Sequence, residues 1–233
     1  MRFVLVVVLN INIVIFSQEN ISSLYEDVVL IDDTLKSYEP SVFNQIPDDV
    51  TILALGEASH GQGSFFSHKA ELFKNLVKYK NFKSFALEAG IAECDKINRY
   101  ILYGEGSSIE SLKFLGYGVW EIAEFVHLIE WMKGYNDTIK NEIDKLEFYG
   151  IDCQKTHGIV GEIKIYLNKY SSLQNIETDQ LLINLLYMDN RVDRKMAKTM
   201  INPVKVLVDS ILLRIDGDDS YSLKEKRFIR FEL

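Results

Sequence analysis

Three short apolar runs, each closing on an acid, constrain this chain more than any other feature. They fall in Val50–Leu55, Lys83–Glu88 and Leu146–Asp152, and they end "ILALGE" at Glu57, "SFALE" at Glu88 and "FYGID" at Asp152. Continuous apolar runs of this length suit strands buried on both faces. The stretches between them have helical spacing. Phe66, Ala70, Phe73 and Val77 mark one face after a capping Ser64, and "ECDKINRYILY" (Glu93–Tyr103) follows the second run. Beyond a glycine-bearing linker, "WEIAEFVHLIEWMKGYN" (Trp120–Asn136) places Ile122, Val126 and Ile129 on one face. Strand, helix, strand, helices, strand is the βαβ pattern. It predicts an α/β fold, a parallel sheet with helices on both faces.

The flanks differ. Residues 22–38 carry Leu24, Val28, Ile31 and Leu35 at helical spacing. From His157 to about Ile215 only helical periods occur, with Val206, Ile211 and Leu212 marking one of them, before the turn "DGDDS". The expected organisation is an α/β core over residues 18–155 and a mainly helical C-terminal segment over 156–233. Three strands are few where sheets average about 5–6. The pattern therefore predicts an incomplete domain whose helical segment is truncated, the alternative being a small three-strand sheet supported by a helical half.

The N-terminus reads as a leader. Arg2 precedes an apolar run from Phe3 to Phe16, broken only by Asn10 and Asn12, and Ser17 offers a small residue before a cleavage point. Residues 1–17 are thus expected to be a signal peptide. The mature chain would be exported, periplasmic or extracellular, with no stable membrane insertion after cleavage. The competing interpretation is a buried first strand rich in Val and Ile. At 47% hydrophobic residues and three prolines the chain is globular, and its net charge of −8 with no Lys/Arg-rich stretch argues against nucleic acid. Cys94 and Cys153 match no zinc or redox spacing. Their pairing is left open, with two buried free thiols as the default.

Right-handed crossovers bring the carboxyl ends of parallel strands to one edge, where ligands bind. The expected site is a cluster of Glu57, Glu88 and Asp152, with His60 on the glycine-bearing loop above the first. A carboxylate beside an imidazole orients the ring and favours its charged form, so His60 can take a proton from water while Glu57 shares the charge. The following helix N-terminus favours developing negative charge. Lys69 can aim its ammonium at the same place, although taken alone it suits a solvated face. Ser59 sits in no nucleophile elbow. Glu57, His60, Glu88 and Asp152 are all possible metal ligands, but their spacing matches no metal motif, and no cofactor is expected. His68, His127 and His157 look like surface residues. A second interpretation is a non-catalytic binding protein whose acidic strand ends hold a metal or cationic ligand.

"LALGEASHGQGSFFSHKAELFKNLV", "FKSFALEAG", "EWMKGYN" and "LEFYGIDCQ", in that order, resemble the erythromycin esterase family from about Val50 to Gln154. The resemblance implies an α/β core and a hydrolase that opens a macrolide lactone ester with histidine-activated water, the chemistry of macrolide resistance. By motif position it makes His60 the general base and Glu57 its partner. Lys69 falls at a basic family position, Glu88 and Asp152 match the next two acids, and Trp120 falls in the family's helix before the third strand. The implied roles are catalytic for His60, Glu57, Glu88 and Lys69, and substrate-binding for Asp152 and Trp120. The implied partner is a small-molecule ester. The family's second functional histidine comes from beyond the helical segment, where this sequence offers no match.

Overall fold

The computed structural model describes residues 3–6, 38, 40–56, 62–152, 155–188, 194–222, 225–226 and 229–230. Four strands, β1 (Phe3–Val6), β2 (Ile52–Leu55), β3 (Ser84–Gly90) and β4 (Glu147–Asp152), form one sheet in the order β2-β1-β3-β4. β1 is parallel to both neighbours, with Phe3 opposite Ile52 on one side and Ser84 on the other. The helices are α1 (Gly63–Lys80), α2 (Ile91–Tyr103), α3 (Ser108–Phe114), α4 (Ala123–Thr138), α5 (His157–Lys169), α6 (Ile176–Met188) and α7 (Arg194–Asp216). The fold is mixed α/β, a small parallel sheet with helices, and its C-terminal stretch is helical as the periodicity predicts.

Several local expectations are corrected. β2 is not buried on both faces: its exposure alternates, and Ile52 is 59% exposed. The reason is topological, since β2 lies at one end of the sheet order and its inner neighbour is β1. That fourth strand falls within the segment read as a leader. β3 runs two residues past Glu88, which therefore sits inside the strand rather than at its end. α1 starts at Gly63 behind Gln62, with no side-chain cap, so Ser64 does not cap it. α4 begins after Trp120 and buries Phe125, Leu128, Ile129 and Met132, a face one step round from Ile122 and Val126. In α7 the buried positions are Met200, Leu207, Ile211 and Ile215, while Val206 is 65% exposed. The helix expected over 22–38 lies outside the described residues.

By internal contacts the chain divides into two compact units, residues 1–88 with 97–149, and residues 89–96 with 150–233. The first unit has an aromatic core. Phe85 meets Phe73 edge-on at 5.2 Å, Phe148 at 5.4 Å and Phe125 at 6.4 Å between centroids. The α1 residues Phe66, Ala70, Phe73 and Val77 are all buried, as their spacing predicts. Buried Asn136 ties α4 to its surroundings, donating to the carbonyls of Ile101 (3.0 Å) and Leu146 (2.9 Å) and accepting from Leu146 N–H at 2.7 Å. Three partners for one buried amide make this a fully satisfied polar anchor. Asn98 does similar work, accepting from Phe148 N–H at 3.0 Å.

The second unit packs aliphatic side chains: Val160, Ile163 and Leu167 of α5 against Leu182 of α6 and Leu207, Ile211 and Ile215 of α7. Gly150 of β4 marks a close approach of backbones. A Cβ there would lie 2.3 Å from the Gly90 carbonyl oxygen, so only glycine fits.

Candidate active site

The sequence LGEASHGQG runs from β2 straight into α1. Glu57 and His60 lie outside the described residues. Glu124, in the first turn of α4, places its carboxyl against Gly63: a Cβ on that glycine would come within 2.6 Å of Oε1. A carboxylate at the N-terminus of an 18-residue helix is favourably placed against the helix dipole.

Lys69 is only 7% exposed, which corrects the solvated-face interpretation. Its Nζ lies 5.4 Å from the Phe66 ring centroid, within cation–π range. Phe66 in turn meets Trp120 edge-on at 5.4 Å and Phe125 at 5.2 Å. Trp120, at 2% exposure, also meets Phe125 at 5.5 Å. Lys69 and Trp120 thus converge on one ring. A narrow crevice is lined by Phe66, Lys69, Ala70, Glu124 and Phe125 among others. The Lys69 ammonium, held among aromatic rings away from bulk water, interacts with charge far more strongly than the same group on a surface, while Glu124 beside it is half-buried. The crevice is too tight to admit a water molecule, so its charges act on a neighbouring group through their field rather than by contact.

Nothing in the sequence pattern singles out Glu124. The available signal is its place in the first turn of a helix that follows Trp120.

Two other predicted site residues fall in different units. Glu88 is half-buried in β3 and belongs to the first unit, and Asp152, the last residue of β4, belongs to the second. His127 is exposed, as expected. His157 is not a plain surface residue: its Nδ1 lies 3.6 Å from the buried Glu93 carboxylate. Cys94 is a buried free thiol whose pKa is pushed well up, first by burial and then by Glu93 and Asp95. Cys153 lies outside the described residues. Among the described residues no group of three His, Cys, Asp or Glu side chains is gathered to hold a metal.

The same architecture occurs in solved structures. A Bacillus cereus protein superposes with a TM-score of 0.59 at 21% identity, covering 84% of this chain and 52% of its own. A succinoglycan biosynthesis protein superposes with a TM-score of 0.54 at 24% identity, covering 76% of this chain and 45% of its own. At these identities the likeness is one of fold. In sequence, an erythromycin esterase type II of Escherichia coli is 32% identical over 127 residues, 54% of this chain and 29% of that protein. The present chain therefore matches about half the length of these solved structures and under a third of that curated relative. The erythromycin esterase profile itself matches residues 77–206. This span begins later than the resemblance read from motifs and reaches further into the helical segment. It takes in Glu88, Trp120 and Asp152 and more than half of the sequence, and on that match the chain belongs to the erythromycin esterase family.

Proposed function

We propose that this protein hydrolyses a carboxylic ester of the macrolactone type, using water activated at His60. Family membership supports ester hydrolysis. The observation that carries the site assignment is the burial of Lys69 beside the aromatic cluster on α1, the helix that follows the His60 loop in sequence.

In this scheme His60 takes a proton from water as the oxygen attacks the ester carbonyl carbon, and Glu57 orients the ring and shares its charge. The carbonyl oxygen becomes an oxyanion, its charge offset by the field of the Lys69 ammonium. Collapse breaks the C–O bond of the ester, and the proton held by His60 passes to the departing alkoxide. Glu88 is assigned to hold the attacking water, and Asp152 to accept hydrogen bonds from the substrate. Trp120 acts through Phe66 and Phe125, because its own surface is covered. Glu124 joins the set by setting the local field at the start of α1.

The test is mass spectrometry of erythromycin incubated with the purified protein in 18O-water. A product one water heavier, with the label in its new carboxylate, is expected. Macrolide that binds and returns unchanged would favour a binding protein instead.

Export through residues 1–17 is a separate proposal, supported by the leader-like pattern of that segment. It has a structural consequence: cleavage near Gln18 would remove β1 from between β2 and β3. Intact mass of protein from the native cell distinguishes the two outcomes, with a mature start near Gln18 expected and a retained Met1 against export.

A further inference from the structure

A groove of about 720 Å³ opens on the first unit beside the second half of α1 and α4, a volume in the range of small-molecule sites. It is separate from the crevice around Lys69 at the start of α1. Gly63 and Asn75 lie about 18 Å apart along the helix at its usual rise per residue. Four aromatic residues contribute to the groove, Tyr38, Tyr79, Trp131 and Tyr135. Trp131 and Tyr135 tilt against each other at 5.7 Å, and Trp131 meets the buried Phe73 edge-on at 6.1 Å. Tyr79 stacks on the buried Phe43 at 5.5 Å, yet it remains 38% exposed. The core thus braces rings that still offer surface to the groove.

Charge along the groove is uneven. Lys74 and Lys78, one turn apart on α1, bring two ammonium groups, and Glu71 brings one carboxylate. That carboxylate is already engaged. Its Oε2 lies 3.6 Å from Lys74 Nζ, and its Oε1 accepts from the buried Asn75 amide at 3.1 Å. Lys78 has no carboxylate partner among the described residues, and its Nζ lies 4.8 Å from the Tyr79 ring centroid. On a chain of net charge −8, a local excess of positive charge set beside aromatic surface is an exception. It favours an anion with a flat apolar body.

We propose that this groove binds an aromatic carboxylate, with its ring against Trp131 and Tyr135 and its carboxylate on Lys78. The ring surfaces supply apolar area. The one ammonium not already paired supplies the charge-assisted hydrogen bond that selects the acid over a neutral ligand of the same shape. A second negative group on the ligand would meet Glu71, which favours a monoanion.

The test follows the indole N–H signals of Trp120 and Trp131, the chain's two tryptophans, in 15N NMR spectra of the full chain. The probes are 2-naphthoate and the neutral 2-naphthamide, and Trp131→Phe assigns the two signals. Naphthoate should move the Trp131 signal saturably and leave the buried Trp120 signal in place. Naphthamide should bind about 10-fold more weakly, the size of one hydrogen bond to a charged group. In Lys78→Gln, a change at an exposed position, the two probes should bind alike. Three results would each overturn the proposal: no saturable shift at Trp131, equal affinities in the wild type, or a preference for naphthoate that survives Lys78→Gln. The readout needs no turnover, so it is decided independently of ester hydrolysis.

Discussion

In the first unit Phe66, Phe73, Phe85, Phe125 and Phe148 interlock through ring contacts, whereas in the second the residues of α5, α6 and α7 bury branched aliphatic chains around Ile211. Rings at fixed centroid distances specify orientation as well as volume, and edge-to-face pairs add about 0.5–1.5 kcal/mol beyond their buried area. An aliphatic cluster mainly conserves volume and accepts repacking. The difference bears on the proposed site. Lys69, Trp120 and Glu124 are arranged on or beside the aromatic core, where a small shift of one ring would move the ammonium. The second unit instead holds Glu93 beside His157 with backbone and glycines, Gly158 N–H donating to the carboxylate at 2.8 Å, leaving the aliphatic core free of that task.

This contrast can be broken by substitution. Phe73, with no exposed surface and contacts to Phe85 and Trp131, should lose about 3–5 kcal/mol of stability on Phe73→Ala in urea denaturation. Ile211→Leu conserves volume and should cost less than about 1.5 kcal/mol in the same assay. Equal losses would erase the distinction between the two cores.

A smaller effect is expected from the first unit's buried polar anchor. Asn136→Leu strands the backbone groups of Ile101 and Leu146 and should cost about 1–3 kcal/mol. Hydrogen exchange should speed first at Leu146 N–H, and unchanged protection there would show that the amide is not the anchor.

The smallest effect concerns surface charge, where both units use one device. Asp218 in the second unit is held well below the usual carboxylate range, chiefly by Ser220 and then by Lys169 and Tyr170, and Asp144 in the first is lowered chiefly by Lys83. A depressed carboxyl contributes stability that is fully present above its unfolded value and is lost as pH falls through its folded value. Acid titration should therefore show stability falling below about pH 4, and a shallower fall in Asp218→Asn. A steeper fall in the variant would contradict the sign.

Much of the first unit was legible because burial imposes a period. Phe66, Ala70, Phe73 and Val77 recur every three or four residues on a helix with one side to the core, and all are buried. α4 was misread by one step because aromatic and apolar residues occupy most of its positions, so several faces look equally apolar and only packing chooses Phe125 and Met132. β2 was misread because an edge strand and a central strand share the same Val/Ile/Leu composition; sheet order, which depends on β1, decides. Lys69 and Trp120 were named from sequence, but their meeting over Phe66 required the fold. Glu124 and Glu93 do not stand out in the sequence because each meets a backbone position far away in it, Gly63 for one and Gly158 for the other.

The proposed ester chemistry turns on water activation at His60. The most direct measurement is steady-state hydrolysis of erythromycin by the wild type and His60→Ala, with both folds verified by circular dichroism. A fall of about 10²–10⁴-fold in kcat with KM little changed is the predicted result, the size of a lost general base. Turnover by His60→Ala within a few-fold of the wild type would contradict the claim.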